Sequence, residues 1–169
     1  MIYFLRHAQS EANEEGVYAG SKLDTKLTKN GILRLKETAQ KNTIIFKKIY
    51  VSTLSRSIES GRIFLAEQPY TAEMIPDERI NELDFGDLTG LPYINFDTEQ
   101  AYETYNIERS KDLHERVLNF YNNIKDDEGP ILVLAHAGVG KMLQTIMYNK
   151  QAAEYNKNEE VKQYRIYEL

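Results

Sequence analysis

Along the 169 residues, short unbroken apolar runs alternate with longer stretches in which apolar positions recur every three or four residues. The short runs read as strands of a sheet covered on both faces, because a strand with one wet face would alternate apolar and polar positions. They fall at residues 2–5, 49–52, 72–75, 131–135 and 163–169. Between them the period is helical. In LTKNGILRLKETAQ, Ile32, Leu35 and Ala39 share a face and Thr28 offers a hydroxyl cap. Leu54, Ile58, Gly61 and Leu65 align over residues 54–66. A third stripe is Leu113, Val117, Phe120 and Ile124, with Asp112 and Glu115 spaced as a capping box. Val139, Leu143 and Ile146 make a fourth, after Gly138. This alternation predicts an α/β fold, a three-layer sandwich whose mostly parallel central sheet is flanked by helices.

Residues 88–111 break the rhythm: they lack a clear apolar period, contain Pro92, and carry Tyr93, Tyr102 and Tyr105. We read them as a short cap insertion over the C-terminal edge of the strands, within a single domain spanning residues 1–169. The three tyrosines are expected to anchor the insertion, with contact to a substrate as the alternative. His114, early in a helix, is given no role.

Composition narrows the function classes. Apolar residues (41%) and charged residues (28%) are mixed along the chain, which describes a globular protein rather than a disordered one. The longest apolar runs are strand-sized, so no membrane span is expected. Arg6 and His7 follow five largely apolar residues with no basic region before them, which argues against a signal peptide and makes a cytoplasmic location the expectation. The absence of cysteine excludes disulfides, thiolate catalysis and zinc–cysteine sites. A net charge of −5 disfavours nucleic acid as a partner. A small anionic substrate stays open, since local clusters set the field inside a cleft. Oligomeric state is not legible.

Titratable residues recur where strands end, which is where open α/β sheets bind ligands. Arg6 and His7 end the first strand, Arg56 opens the helix after the second, Glu82 follows the third, and His136 ends the fourth. Taken singly, His136 would be a satisfied core histidine and Glu82 one more surface carboxylate. Arg56 early in a helix opposes the helix dipole, a poor structural choice unless an anion is near. Jointly, two arginines, two histidines and a carboxylate suit a phosphoryl group: guanidinium forks match its oxygens, a neutral imidazole can attack phosphorus, and a carboxylic acid can protonate the departing alcohol. Such a set needs no metal or other cofactor.

At these residues the sequence resembles the histidine phosphatase superfamily, the phosphoglycerate mutase-like family. LRHAQSEAN is similar to its signature, with Arg6, His7 and Asn13 in register. YAGSKLDTKLTKNG is similar to the next loop, with Gly20, Asp24, Leu27, Thr28 and Gly31 matching. VSTLSRSIES resembles the segment of the second arginine, INELDFGDLTG the acid-bearing segment, and ILVLAHAGVGK the strand and turn of the second histidine. The resemblance implies that His7 becomes phosphorylated, that Arg6, Arg56 and His136 hold the phosphoryl oxygens, and that Glu82 serves as acid and then base. It places Asn13, Gly20 and Ala137 at the substrate. The implied substrate is a small phosphorylated metabolite or a phosphorylated protein.

Ala8 and Ala137 stand where the family commonly has glycine, a tolerable change unless the backbone there needs positive φ. Lys141 replaces a frequent arginine and Thr89 a frequent second glutamate. AHAGVGKM mimics a nucleotide P-loop, but Ala135 and Met142 lack the required glycine and hydroxyl. Only 53 residues separate Glu82 from His136, too few for a large water-excluding cover, so hydrolysis is expected rather than mutase chemistry. Metal-dependent hydrolysis and a phosphate-binding module without turnover are the other readings; three histidines without paired spacing make a poor metal-ligand set.

Overall fold

The computed structural model describes residues 1–94, 98–157 and 160–169. Five strands form one sheet: β1 (Ile2–Arg6), β2 (Lys48–Val51), β3 (Glu73–Pro76), β4 (Ile131–Ala135) and β5 (Ile166–Glu168), in the order β3-β2-β4-β1-β5. The first four are parallel and β5 runs antiparallel at the edge. The helices are α1 (Glu11–Glu15), α2 (Lys29–Gln40), α3 (Ser55–Ala66), α4 (Thr98–Thr104), α5 (Ser110–Ile124) and α6 (Ala137–Met147).

The unbroken apolar runs follow from burial on both faces. In β1, Ile2 and Phe4 enter the core beneath α5 and α6, whereas Tyr3 and Leu5 enter the core beneath α2 and α3. In β4, Ile131, Val133 and Ala135 face one side, Leu132 and Leu134 the other. With the α2–α3 and α5–α6 pairs on opposite faces, the chain leaves β1 toward one side and β4 toward the other. A crevice therefore opens past the C-terminal ends of these two neighbours.

Helix starts agree with the sequence in one place and depart from it in others. Thr28 caps α2, its Oγ1 accepting the Gly31 N–H at 2.9 Å. The Asp112–Glu115 capping box does not form: α5 begins earlier, at Ser110, with Arg109 in the cap position. In α3 the buried face is Arg56, Ser57, Ser60, Gly61 and Phe64; Leu54 precedes the helix, while Ile58 and Leu65 are half-buried. β5 is shorter than the run 163–169, and α6 starts at Ala137, directly after β4. The P-loop look-alike is thus helical from its third residue.

Residues 88–111 have more structure than the pattern suggested. Residues 95–97 of this segment lie outside the described residues. After them comes α4, with Ala101 buried, and Ile107 joins the core. Gly86 has φ +52°, and a Cβ there would lie 2.1 Å from the Tyr105 carbonyl oxygen, so only glycine lets this segment close against the loop after Glu82.

Candidate active site

Sheet register does the first part of the assembly. Arg6 pairs with Ala135 across β1 and β4, and the His7 N–H donates to the Ala135 carbonyl at 2.9 Å. The next residues on the two chains are His7 and His136, whose ring centroids lie 4.9 Å apart. From β2, the Ser52 N–H donates to the Leu134 carbonyl at 3.2 Å, which brings its hydroxyl beside His136.

The two imidazoles are fixed in complementary ways. His7 Nδ1 lies 2.7 Å from the Ala8 carbonyl oxygen, which can only accept, so Nδ1 carries the proton and Nε2 keeps the lone pair. For His136 the partner is Ser52 Oγ, 2.8 Å from Nε2, with Ser57 Oγ at 3.3 Å. The Ser52 hydroxyl donates to Asn81 Oδ1 at 2.7 Å, and that oxygen also accepts the Thr53 N–H at 2.9 Å. Ser52 is therefore the acceptor for His136 Nε2–H. His136 Nδ1 and Arg6 Nε are buried with no partner among the described residues. Buried polar nitrogens without a protein partner suit a polar ligand.

Burial is the largest influence on both rings and pushes each pKa well below the ordinary 6.5. Arg56 and Arg6 add to the effect on His7; for His136, His7 itself contributes, then Arg56, Arg6 and Arg116. Shifts in this direction favour the neutral form of both rings at pH 7.

Arg56 is 1% exposed in the first turn of α3. Its Nη1 donates to Asp24 Oδ1 at 3.1 Å and to the Leu23 carbonyl at 3.2 Å, and its Nη2 to the Gly20 carbonyl at 2.6 Å. Burial lowers its pKa, an effect opposed by Asp24 and Glu82. Gly20 sits at φ +56°, and a Cβ there would fall 2.6 Å from the Leu83 carbonyl oxygen. Asn13 Oδ1 accepts from the Ser10 N–H at 3.2 Å and from Gln163 Nε2 at 3.1 Å, which leaves its amide nitrogen for the cavity it lines.

Glu82 is held by backbone donors. Oε1 accepts the Leu83 N–H at 3.0 Å, and Oε2 the Gly138 N–H at 3.4 Å, at the N-terminus of α6. Behind it, Arg116 of α5 gathers the loop: Nη1 donates to the Arg79 and Asn81 carbonyls, both at 2.7 Å, and Nη2 reaches the Glu82 carbonyl at 3.4 Å. Glu108 in turn holds Arg116 through two bonds of 2.7 and 2.9 Å.

A cavity of about 180 Å³ is lined by Arg6, His7, Asn13, Gly20, Arg56, Glu82 and Ala137, with Tyr18, Phe85 and Tyr93 on its outer wall. The residues named from the sequence as catalytic or substrate-binding all line this cavity except His136, which is fully buried against the His7 ring. Neither Ala8 nor Ala137 has a positive φ, so the extra methyl groups are accommodated. The tyrosines of the insertion divide: Tyr93 is half exposed and stacks edge-on against Tyr18, Tyr102 packs on the core and lines a neighbouring cavity, and Tyr105 packs on the core.

Sequence reasoning did not single out Ser52, Ser57, Asn81, Arg116 or Gln163. Asp24, Ser52, Ser57 and Asn81 lie inside the matching motifs but carried no assigned task. Gln163 gave no signal at all; β5 alone brings it near, where Nε2 donates to the His7 carbonyl at 3.2 Å.

Fold and geometry together define an α/β protein with a crevice lined by two arginines and an imidazole. The chain belongs to the histidine phosphatase superfamily (branch 1), whose sequence model matches residues 2–167. Over 95 residues, 54% of this chain, it is 37% identical to the 2,3-bisphosphoglycerate-dependent phosphoglycerate mutase of Parvibaculum lavamentivorans, but the match spans only 45% of that enzyme. Over 155 residues it is 27% identical to "Putative phosphoserine phosphatase 2" of Hydrogenobacter thermophilus, covering 81% of this chain and 73% of that one. Among solved structures, the alpha-ribazole phosphatase of Shigella flexneri superposes with a TM-score of 0.83 at 22% identity, covering 98% of this chain and 87% of the other. That likeness shows the shared fold. Among the described residues no helix is long and apolar enough to cross a membrane.

Proposed function

We propose that this chain hydrolyses phosphomonoesters through a phosphohistidine on His7. The observation that carries the reading is the Ala8 carbonyl holding His7 Nδ1–H, which leaves the Nε2 lone pair at a cavity walled by Arg6 and Arg56. In the first step Nε2 forms a bond to phosphorus as the ester P–O bond breaks, and Glu82 gives its proton to the departing alcohol oxygen. In the second, Glu82 takes a proton from water as its oxygen attacks phosphorus, and the N–P bond breaks to free His7 and inorganic phosphate. Arg6, Arg56 and the N-terminus of α6 at Ala137 offset charge on the equatorial oxygens. His136 Nδ1 can donate to one of them once the anion draws a proton onto the ring. Asn13 supplies an amide donor, and Gly20 fixes Arg56 through its carbonyl.

Neither step calls on a metal, and EDTA is expected to leave turnover unchanged. Hydrolysis is preferred over mutase chemistry because Tyr93, which lines the cavity, is half exposed, a thin cover through which water can reach the phosphohistidine. The Hydrogenobacter relative, named for phosphatase activity, supports the same choice. Residues 88–111 serve in this reading as one side of the entrance.

His7→Ala should abolish phosphate release and the acid-labile ³²P label on the wild-type protein. Glu82→Gln should depress turnover of alkyl phosphates by at least about a hundredfold and that of p-nitrophenyl phosphate far less, since nitrophenolate leaves without a proton. Substantial hydrolysis by His7→Ala, or equal losses on both substrate types, would overturn the mechanism.

A further inference from the structure

Glu82 borders three cavities, and which one continues from its carboxylate decides what the leaving alcohol looks like. The largest, about 760 Å³, is open and polar, ringed by the carboxylates Glu78, Asp84 and Asp112 and by the ion pairs Arg109–Glu103 and Arg116–Glu108. A second, about 200 Å³, is walled by Leu83, Phe85, Tyr102, Ile107 and Tyr155, with Ala137, Gly138 and Lys141 completing it. Lys141 is already engaged by another group. This second cavity shares Glu82, Phe85 and Ala137 with the phosphate-sized cavity at His7.

The position of the carboxylate settles the choice. Glu82 Oε2 accepts from the Gly138 N–H, and a Cβ built on Gly138 would lie 2.6 Å from Oε1. Gly138 lines the apolar cavity and not the acidic one. In-line displacement places the departing oxygen opposite His7 Nε2 and within reach of that carboxylate. The carbon skeleton attached to this oxygen must then continue along the Phe85–Ala137 wall.

We infer that the cavity walled by Phe85, Tyr102, Ile107 and Tyr155 is the leaving-group subsite, and that the substrates are phosphomonoesters of compact apolar or aromatic alcohols rather than of polyols. The inference rests on the proposed roles of His7 and Glu82. Burying an apolar body against these rings favours such esters, whereas a sugar would leave hydroxyls without partners there.

The test compares kcat/KM for benzyl phosphate and glycerol 3-phosphate, with acetyl phosphate as a donor too short to fill the cavity. Benzyl phosphate should exceed glycerol 3-phosphate by at least about tenfold, in keeping with the discrimination available to an apolar pocket. Tyr102→Ala should lower the benzyl-to-acetyl ratio of kcat/KM about tenfold, and Tyr102→Leu should restore much of it. Calorimetry of benzylphosphonate against 2-hydroxyethylphosphonate reads the same preference without turnover. A glycerol 3-phosphate rate equal to or above that of benzyl phosphate, an unchanged ratio in Tyr102→Ala, or equal binding of the two phosphonates would overturn the inference. Loss of the His7 requirement would instead overturn the hydrolytic mechanism, while phosphonate binding would still report on the cavity.

Discussion

At Gly138 one hydrogen atom decides the geometry of the acid. A methyl group there would lie 2.6 Å from both Glu82 Oε1 and Leu83 Cδ1, so both must move. Inside a helix, alanine is otherwise favoured over glycine by roughly 0.5–1 kcal/mol. Gly138→Ala should therefore leave the thermal midpoint within a few degrees of wild type while cutting alkyl phosphate turnover at least about tenfold; melting curves and steady-state rates on one preparation check both. Arg6, His7 and His136 stand out in the sequence because each follows directly on an apolar run, whereas Arg56 and Glu82 lie farther along the chain from theirs. The protonation pattern was not, since it depends on the Ala8 carbonyl for His7 and on the Ser52–Asn81 pair for His136. Asn81 lies 55 positions from His136 and no local pattern connects them.

Elements position what residues supply. The apolar stripe of α5 was readable, but Arg116 at the edge of that stripe also holds three carbonyls of the Glu82 loop. Arg116→Lys keeps the charge and loses the fork. It is expected to reduce turnover of alkyl phosphates at least about tenfold with a smaller loss on p-nitrophenyl phosphate, the pattern of a residue acting through Glu82; a uniform loss would mark a purely structural role. Helix α3 shows why hydropathy misplaced a face. Ser60 Oγ accepts the Ala8 N–H at 3.1 Å and donates to the Arg56 carbonyl at 2.7 Å, so polar residues point inward to satisfy the loop that carries His7. A scale that counts only apolar positions assigns that face to solvent. The failed capping box has a similar cause: Asp112 lies in the first turn of α5, where a negative charge suits the helix dipole without capping anything.

Across the whole molecule, the two buried neutral histidines tie stability to pH. Their folded pKa values lie below that of an unfolded histidine, so the unfolded chain binds more protons as pH falls. Stability is fully present above about pH 6.5 and is lost below it, by up to about 1.4 kcal/mol per pH unit for each ring until the folded value is reached. Urea unfolding at pH 7.5, 6.0 and 5.0 should show this decline, and His7→Gln should roughly halve its slope between the two lower values. The fold class was legible at this scale because burial on both sides of the sheet writes itself into unbroken apolar runs. Strand order was not: that β4 inserts between β2 and β1 follows from long-range pairing, and this insertion places His136 beside His7.

The segment around β5 also bears on when the site comes into being during synthesis. Gln163 braces the His7 carbonyl and Asn13, Tyr164 Oη accepts the Gln9 N–H at 3.0 Å, and the Val161 carbonyl receives Arg6 Nη1 at 3.4 Å. A growing polypeptide can thus lay down four parallel strands while the loop that carries His7 still lacks these supports. The His7 loop gains these braces only when residues 161–164 emerge, after the residues of all four parallel strands.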